Sequence, residues 1–306
     1  MKKVFLLIMV LFAGFLLASC NNKKEMEVTR QEAQQMLASV DGNKSLDHTA
    51  SIKGKINLEV FIKSKDEENH EMSQTMKMEG SIDAYADLSS YENHFVYAKL
   101  VLKMNQSTTM PGIETQNNDM SMDVKIYLSK GNAYLEGTIE EGGKKVTSKI
   151  KTTGYFTQES YDDMIGMLKP GEHIEGSKNS LDLIDENNDF KMYDLGNERY
   201  ELEVAITEEL ISNMLSFFGS QLEVTFNSKN YLTLKVVFSD RFESLTLRSN
   251  LDMNLKGDLF GTALEGTLKG KISLDIKTNV SKPSGLPSQE TLDTYEEGEM
   301  PDILGS

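Results

Sequence analysis

The sequence predicts a mainly β protein with a few helices (α+β), built on one long antiparallel meander that curls on itself and carries its helices over the concave face. Three observations carry that reading. Apolar and polar residues alternate with period 2 over most of the chain beyond residue 49. Short links rich in Gly, Asn and Asp join many of the alternating segments, which makes successive segments antiparallel neighbours. There are about ten or eleven such segments, each with one dry face, and a sheet of that size curls or splits rather than staying flat.

In chain order, Lys2 and Lys3 come first, and residues 4–17 are an apolar run interrupted only by Gly14. The run of about fourteen falls short of the roughly twenty residues needed to span a bilayer as a helix. It reads as the apolar region of a signal peptide over residues 1–19. The run ends in Leu17-Ala18-Ser19-Cys20, which resembles the lipobox of bacterial lipoprotein precursors. That resemblance implies cleavage before Cys20, lipidation of its thiol, and a mature chain held on the extracytoplasmic side of the cell membrane. Cys20 is the only cysteine, so no disulfide forms within the chain. At about 0.8 kcal/mol per buried methylene, two or three acyl chains hold durably where one holds marginally.

Residues 21–27 are polar with no apolar period, and residues 20–28 read as a lipidated tether. Thr29 and Glu32 have capping-box spacing, and Ala33, Met36, Leu37 and Val40 then share one helical face before Asp41-Gly42-Asn43 stops the helix. From residue 49 the period becomes 2. Ile52, Gly54, Ile56, Leu58, Val60 and Ile62 form a dry face; Met76 to Ala86, Val96 to Met104 and Met120 to Leu128 repeat the pattern. Lys130-Gly131-Asn132 and Glu141-Gly142-Gly143-Lys144 are hairpin turns. Thr157 caps a helix with Tyr161, Met164, Ile165 and Leu168 on one face, ended by Pro170-Gly171. Residues 177–189 read as a polar loop, and Tyr200, Leu202, Val204 and Ile206 as a strand. Residues 207–218 form a further helix carrying Leu210, Ile211, Met214, Leu215, Phe217 and Phe218, too apolar to stand in solvent.

The last third alternates most cleanly. Leu232, Leu234, Val236 and Phe238 are followed by Leu245, Leu247, Leu251, Met253 and Leu255, then by Leu264, Leu268, Ile272, Leu274 and Ile276. Residues 29–280 are therefore expected to form a single curled-sheet domain, and residues 281–306 a mobile acidic tail. Glycines on the dry side, at 54, 80, 137, 266 and 270, mark either a bend or room for a ligand.

The formal net charge of −16 becomes −18 once residues 1–19 and their two lysines are removed. An acidic chain of this kind repels phosphate backbones, so nucleic acid is excluded as a partner, and the acyl anchor is left as the main membrane contact. No cofactor motif is present. His48, His70, His94 and His173 fall in separate segments, and no nucleophile elbow, zinc-protease helix or phosphate loop occurs, so no enzyme is expected. Asp182, Asp185, Glu186 and Asp189 lack the order of a calcium loop. The pairs Met76/Met78 and Met120/Met122 carry soft thioethers that could ligate Cu(I), but at i, i+2 on a dry face they read as core or pocket lining, and no metal site is assigned.

Together, the lipobox, the capped first helix, the long meander and the helices inserted after its middle strands resemble the lipoprotein-carrier superfamily: the LolA and LolB proteins and the mycobacterial LppX/LprG lipoproteins. The resemblance covers roughly residues 27–280 by order of elements. It implies a half-barrel with helices in its mouth and a lipid or other hydrophobic ligand between the two. The cavity would then be lined by Leu210, Met214, Phe217 and Phe218 with Leu234, Val236, Leu247, Leu251, Met253 and Leu274. Two functions stay open: a carrier or sensor of a hydrophobic ligand, or a non-catalytic envelope lipoprotein that binds an unknown protein partner and fills its own half-barrel.

Overall fold

The computed structural model describes residues 23–40, 49–65, 71–110, 112–168, 184, 189–205, 221–227, 231–259 and 262–299. The alternating segments become long strands: β2 (Thr49–Lys65), β3 (Glu71–Asp87), β4 (Phe95–Thr109), β5 (Gln116–Ser129), β6 (Asn132–Glu141) and β7 (Lys144–Thr152). The second half supplies β8 (Asp189–Gly196), β9 (Arg199–Ala205), β10 (Gln221–Phe226), β11 (Tyr231–Phe238), β12 (Phe242–Leu259) and β13 (Thr262–Thr278). Short edge strands β1 (Lys24–Met26) and β14 (Glu296–Glu297) complete one open, curled sheet of 14 strands. Its order is β1-β8-β9-β11-β12-β13-β2-β3-β4-β5-β6-β7-β14, with β10 beside the far half of β12. Three helices accompany the sheet among the described residues: α1 (Arg30–Ala38), α2 (Gln158–Leu168) and α3 (Gln289–Leu292).

Local chemistry sets the boundaries. The Glu32 N–H donates to Thr29 Oγ1 at 3.3 Å while the Thr29 N–H donates to Glu32 Oε2 at 2.7 Å, closing the capping box of α1. The Ser160 N–H donates to Thr157 Oγ1 at 3.1 Å at the start of α2. Lys130 and Gly131 take φ of 51° and 77°, the left-handed pair that a two-residue hairpin requires.

The spatial order is not a single meander in chain order. β2 to β7 form one meander, β11 to β13 close a second run, and β13 pairs with β2 over fifteen residues, from Thr278↔Ala50 to Leu264↔Ser64. The centre of the sheet is thus a seam between segments some two hundred residues apart in sequence. Because side chains alternate faces, register fixes each row: Leu247, Leu274, Gly54, Ile82, Leu100 and Val124 stand side by side on the concave face.

The curl requires close strand contact at particular points. An added Cβ at Gly266 would lie 2.2 Å from Phe61 O, and at Gly270 2.2 Å from Asn57 O. The glycines of β13 therefore let its backbone press on β2. Gly270→Ala is expected to lower stability by about 1–3 kcal/mol through overpacking against main chain that cannot give way. The urea midpoint measures this, and an unchanged midpoint would show that the two strands have slack.

α1 and the first turn of α2 lie on the concave side. Ala33 and Val40 pack with Leu202, Val204, Leu234, Val236 and Leu245, while Phe156 and Tyr161 pack with Ala86, Val96, Leu128 and Ala133. The predicted helix over residues 207–218, with Leu210, Met214, Phe217 and Phe218, lies outside the described residues, as do Cys20 and the apolar run before it.

Two expectations are corrected. Residues 24–28, expected to belong to a tether, are part of the fold: Lys24, Glu25 and Met26 pair with Asp194, Tyr193 and Met192 of β8, and Met26 and Val28 join the core beneath α1. Residues 281–299 are no mobile tail, and α3 is not on the concave face. Leu292 is 0 % and Tyr295 5 % exposed, packed on the convex face against Tyr85, Phe95, Tyr127 and Tyr134. Register builds that platform: Tyr85, Tyr97, Tyr127 and Tyr134 are consecutive cross-strand partners. The acids that made this segment look solvated are bound in place. Asp293 accepts from the Tyr134 hydroxyl at 3.0 Å, and Lys151 approaches Glu297 at 3.4 Å.

Candidate functional site: an apolar cavity on the concave face

Between the core under α1 and the aromatic group of Phe156 and Tyr161, the concave face holds a cavity of about 490 Å³. Six successive strands wall it: Leu247 on β12, Ile272 and Leu274 on β13, Ile52 and Ile56 on β2, Ile82 on β3, Leu100 and Leu102 on β4, and Met122 on β5. One cavity touching six neighbouring strands is the direct sign of curl. Its volume falls within the roughly 300–1,000 Å³ of small-molecule sites.

The wall follows from period 2. The inward side chains of β2 to β5 that face the cavity are aliphatic or methionine apart from Gly54 and Gly80, and several of the outward residues beside them, on these strands and on β12 and β13, form ion pairs on the other face. Those pairs include Lys53 with Asp83 at 3.6 Å, Lys77 with Glu59 at 3.2 Å and Arg248 with Asp275 at 2.7 Å. Exposed pairs of this kind contribute little to stability; they keep this part of the convex face wet and the charged groups out of the apolar wall. Gly54 and Gly80 do not widen it. A Cβ at Gly54 would meet Ile82 Cγ2 at 2.8 Å, and one at Gly80 would meet Ile56 Cγ2 at 2.9 Å, so neighbouring side chains already lean over both positions.

Of the residues proposed from sequence, Leu247 and Leu274 line the cavity. Leu234 and Val236 do not: 1 % and 6 % exposed, they are core beneath α1. Leu251 and Met253 belong to a separate apolar patch farther along the same face, with Leu255, Ile62, Phe226 and Leu268. Ile52, Ile56, Ile82, Leu100, Leu102 and Ile272 were missed as cavity residues, while Met122, read from sequence as core or pocket lining, does line it. Their alternation was legible, but only the β13–β2 seam shows that the middle of the sheet, and not the last third, surrounds the space.

An apolar wall of this kind can bind a hydrophobic group. His94 is 1 % exposed and sits in an aromatic box, its ring centroid 5.2 Å from that of Tyr91 and 5.3 Å from that of Phe156. The Gly131 N–H donates to its Nε2 at 3.4 Å. Among the described residues no group of three or more His, Cys, Asp or Glu is placed to hold a metal ion, and no helix is long and apolar enough to cross a membrane.

Fold and site together define an open, curled β-sheet protein with an apolar cavity on its concave face. No protein-family model and no curated protein matches the chain. Among solved structures it is similar to a β-barrel-like protein of a domain of unknown function from Brucella abortus, with 10 % identity and a TM-score of 0.24 over 74 % of this chain and 98 % of that one.

Proposed function

We propose that the protein is a membrane-anchored extracytoplasmic lipoprotein that binds a lipid or other hydrophobic ligand in the concave cavity, as a non-catalytic carrier or sensor. The observation that carries the reading is the apolar cavity of about 490 Å³ walled by six strands. An apolar ligand there removes Ile, Leu and Met surface from water, at about 25 cal/mol per Å² buried. The lipobox supplies the anchor.

The position of β1 supports the same arrangement. Three residue steps, about 10 Å at full extension, join Cys20 to Lys23, and Lys23 is fixed at the β8–β9 end of the sheet by Glu201 at 2.8 Å. An acylated Cys20 would hold that end of the sheet at the membrane.

The test expresses the full chain in a lipoprotein-processing host with a palmitate analogue, then analyses an organic extract by mass spectrometry. Label on the wild type and none on Cys20→Ser, with an amphiphile in the extract, is the expected result. Equal label overturns the anchor. An empty extract, with no uptake of a fluorescent fatty acid, overturns the ligand reading in favour of a protein-binding lipoprotein.

A further inference from the structure

The methionine pairs set aside as pocket lining gain a new partner from the fold. Met104 on β4 stands directly opposite Met78 on β3 and directly opposite Met120 on β5. Met76 faces Gln106 and Met122 faces Leu102, so each lies one diagonal step from Met104, at opposite corners. Directly opposed Cβ atoms are about 4.5–5.5 Å apart and diagonal neighbours about 7–8 Å, distances that a flexible thioether bridges. Three strands thus bring five methionines to one spot on the concave face, beyond the cavity wall that Met122 shares. Met76, Met78, Met104 and Met120 are only half-buried, so their sulfurs are within reach of solvent.

We infer that Met78, Met104 and Met120 form a thioether site for a soft monovalent cation, Cu(I) in kind, with Met76 and Met122 as further donors. The ligand chemistry selects the ion. Thioethers are neutral, soft donors that favour Cu(I) over magnesium, calcium or zinc, which take oxygen, imidazole or thiolate. The carboxylate directly opposite on this face is Glu141, across from Met120, and a chain of net charge −16 attracts a cation to such an opening. Binding involves no change of oxidation state. The inference does not rest on the lipid reading, since the methionines serve as ligands whether or not the cavity is filled.

The test uses the full chain carrying Cys20→Ser, so that no thiolate competes, titrated anaerobically with Cu(I) against a colorimetric chelator and, separately, with redox-inert Ag(I). About one equivalent per chain is expected for the methionine site. Replacing Met78, Met104 and Met120 with Leu keeps apolar volume and hence the fold. That variant should lose affinity by at least about tenfold, a scale on which even supporting residues of metal sites act. Met192→Leu, in the core beneath α1, should leave uptake unchanged. No uptake by the parent chain, or equal uptake by the triple variant, overturns the site. The triple variant should still take up a fluorescent fatty acid as the parent does, which separates failure of this site from failure of the lipid reading.

Discussion

Deleting residues 281–306 should destabilise the whole sheet, even though this segment follows the last long strand. Leu292 and Tyr295 are almost fully buried against the tyrosine platform of β3 to β6. Burying one such side chain contributes about 1.5–3 kcal/mol, and the freed segment regains conformational entropy. We expect a net loss on the order of 2–4 kcal/mol, read as a lower urea midpoint. The segment also carries a pH signature. The Tyr295 hydroxyl donates to Glu136 Oε2 at 2.5 Å and, ahead of Lys125, holds that carboxyl below its ordinary value. A carboxylate with a depressed folded-state pKa stabilises the fold above its ordinary pKa, and that contribution is lost as pH falls through the depressed value. The full chain should therefore lose more stability on acidification than the shortened one. Matching midpoints at neutral pH would show that the segment is merely laid on the surface.

Ile56→Glu should abolish capture of a hydrophobic ligand, whereas Asn57→Glu, one residue on, should not. Ile56 stands between Gly80 and Ile272 in the middle of the cavity wall, and Asn57 points out of the convex face. A carboxylate in an apolar cavity keeps its water and excludes the ligand. A penalty of about 3 kcal/mol corresponds to roughly a hundredfold weaker binding. A fluorescent fatty acid titrated into both variants gives the answer. Equal affinity would mean that the ligand, if any, binds elsewhere. Circular dichroism should show strand content retained in both, because neither side chain contributes to the ladder hydrogen bonds.

Much of this molecule is written in short-range pattern. The capping box of Thr29 and Glu32, the hairpin at Lys130-Gly131 and the dry faces of β2 to β5 depend on residues within a few positions of one another, so composition and period determine them. The dry face that every long strand carries likewise determined that the sheet would be large and curled, since that many dry faces must share an interior. The strands at 189–196 and 221–226 were less visible. Asp189–Gly196 begins in a polar stretch, and Gln221–Phe226, though it alternates, is only six residues long.

Only the tertiary structure decided which residues meet. The seam of β13 on β2 depends on pairing across some two hundred residues, and it moved the cavity from the last third, where Leu234 and Val236 lie under α1, to the middle, where Ile56 and Ile272 face it. The same register made a tyrosine platform from Tyr85, Tyr97, Tyr127 and Tyr134, one residue from each of four strands, and so gave the acidic C-terminal segment a place to dock. Alternation along one strand states which face a side chain takes. Which neighbour it finds on that face is set by cross-strand register, a long-range quantity that no window of sequence contains.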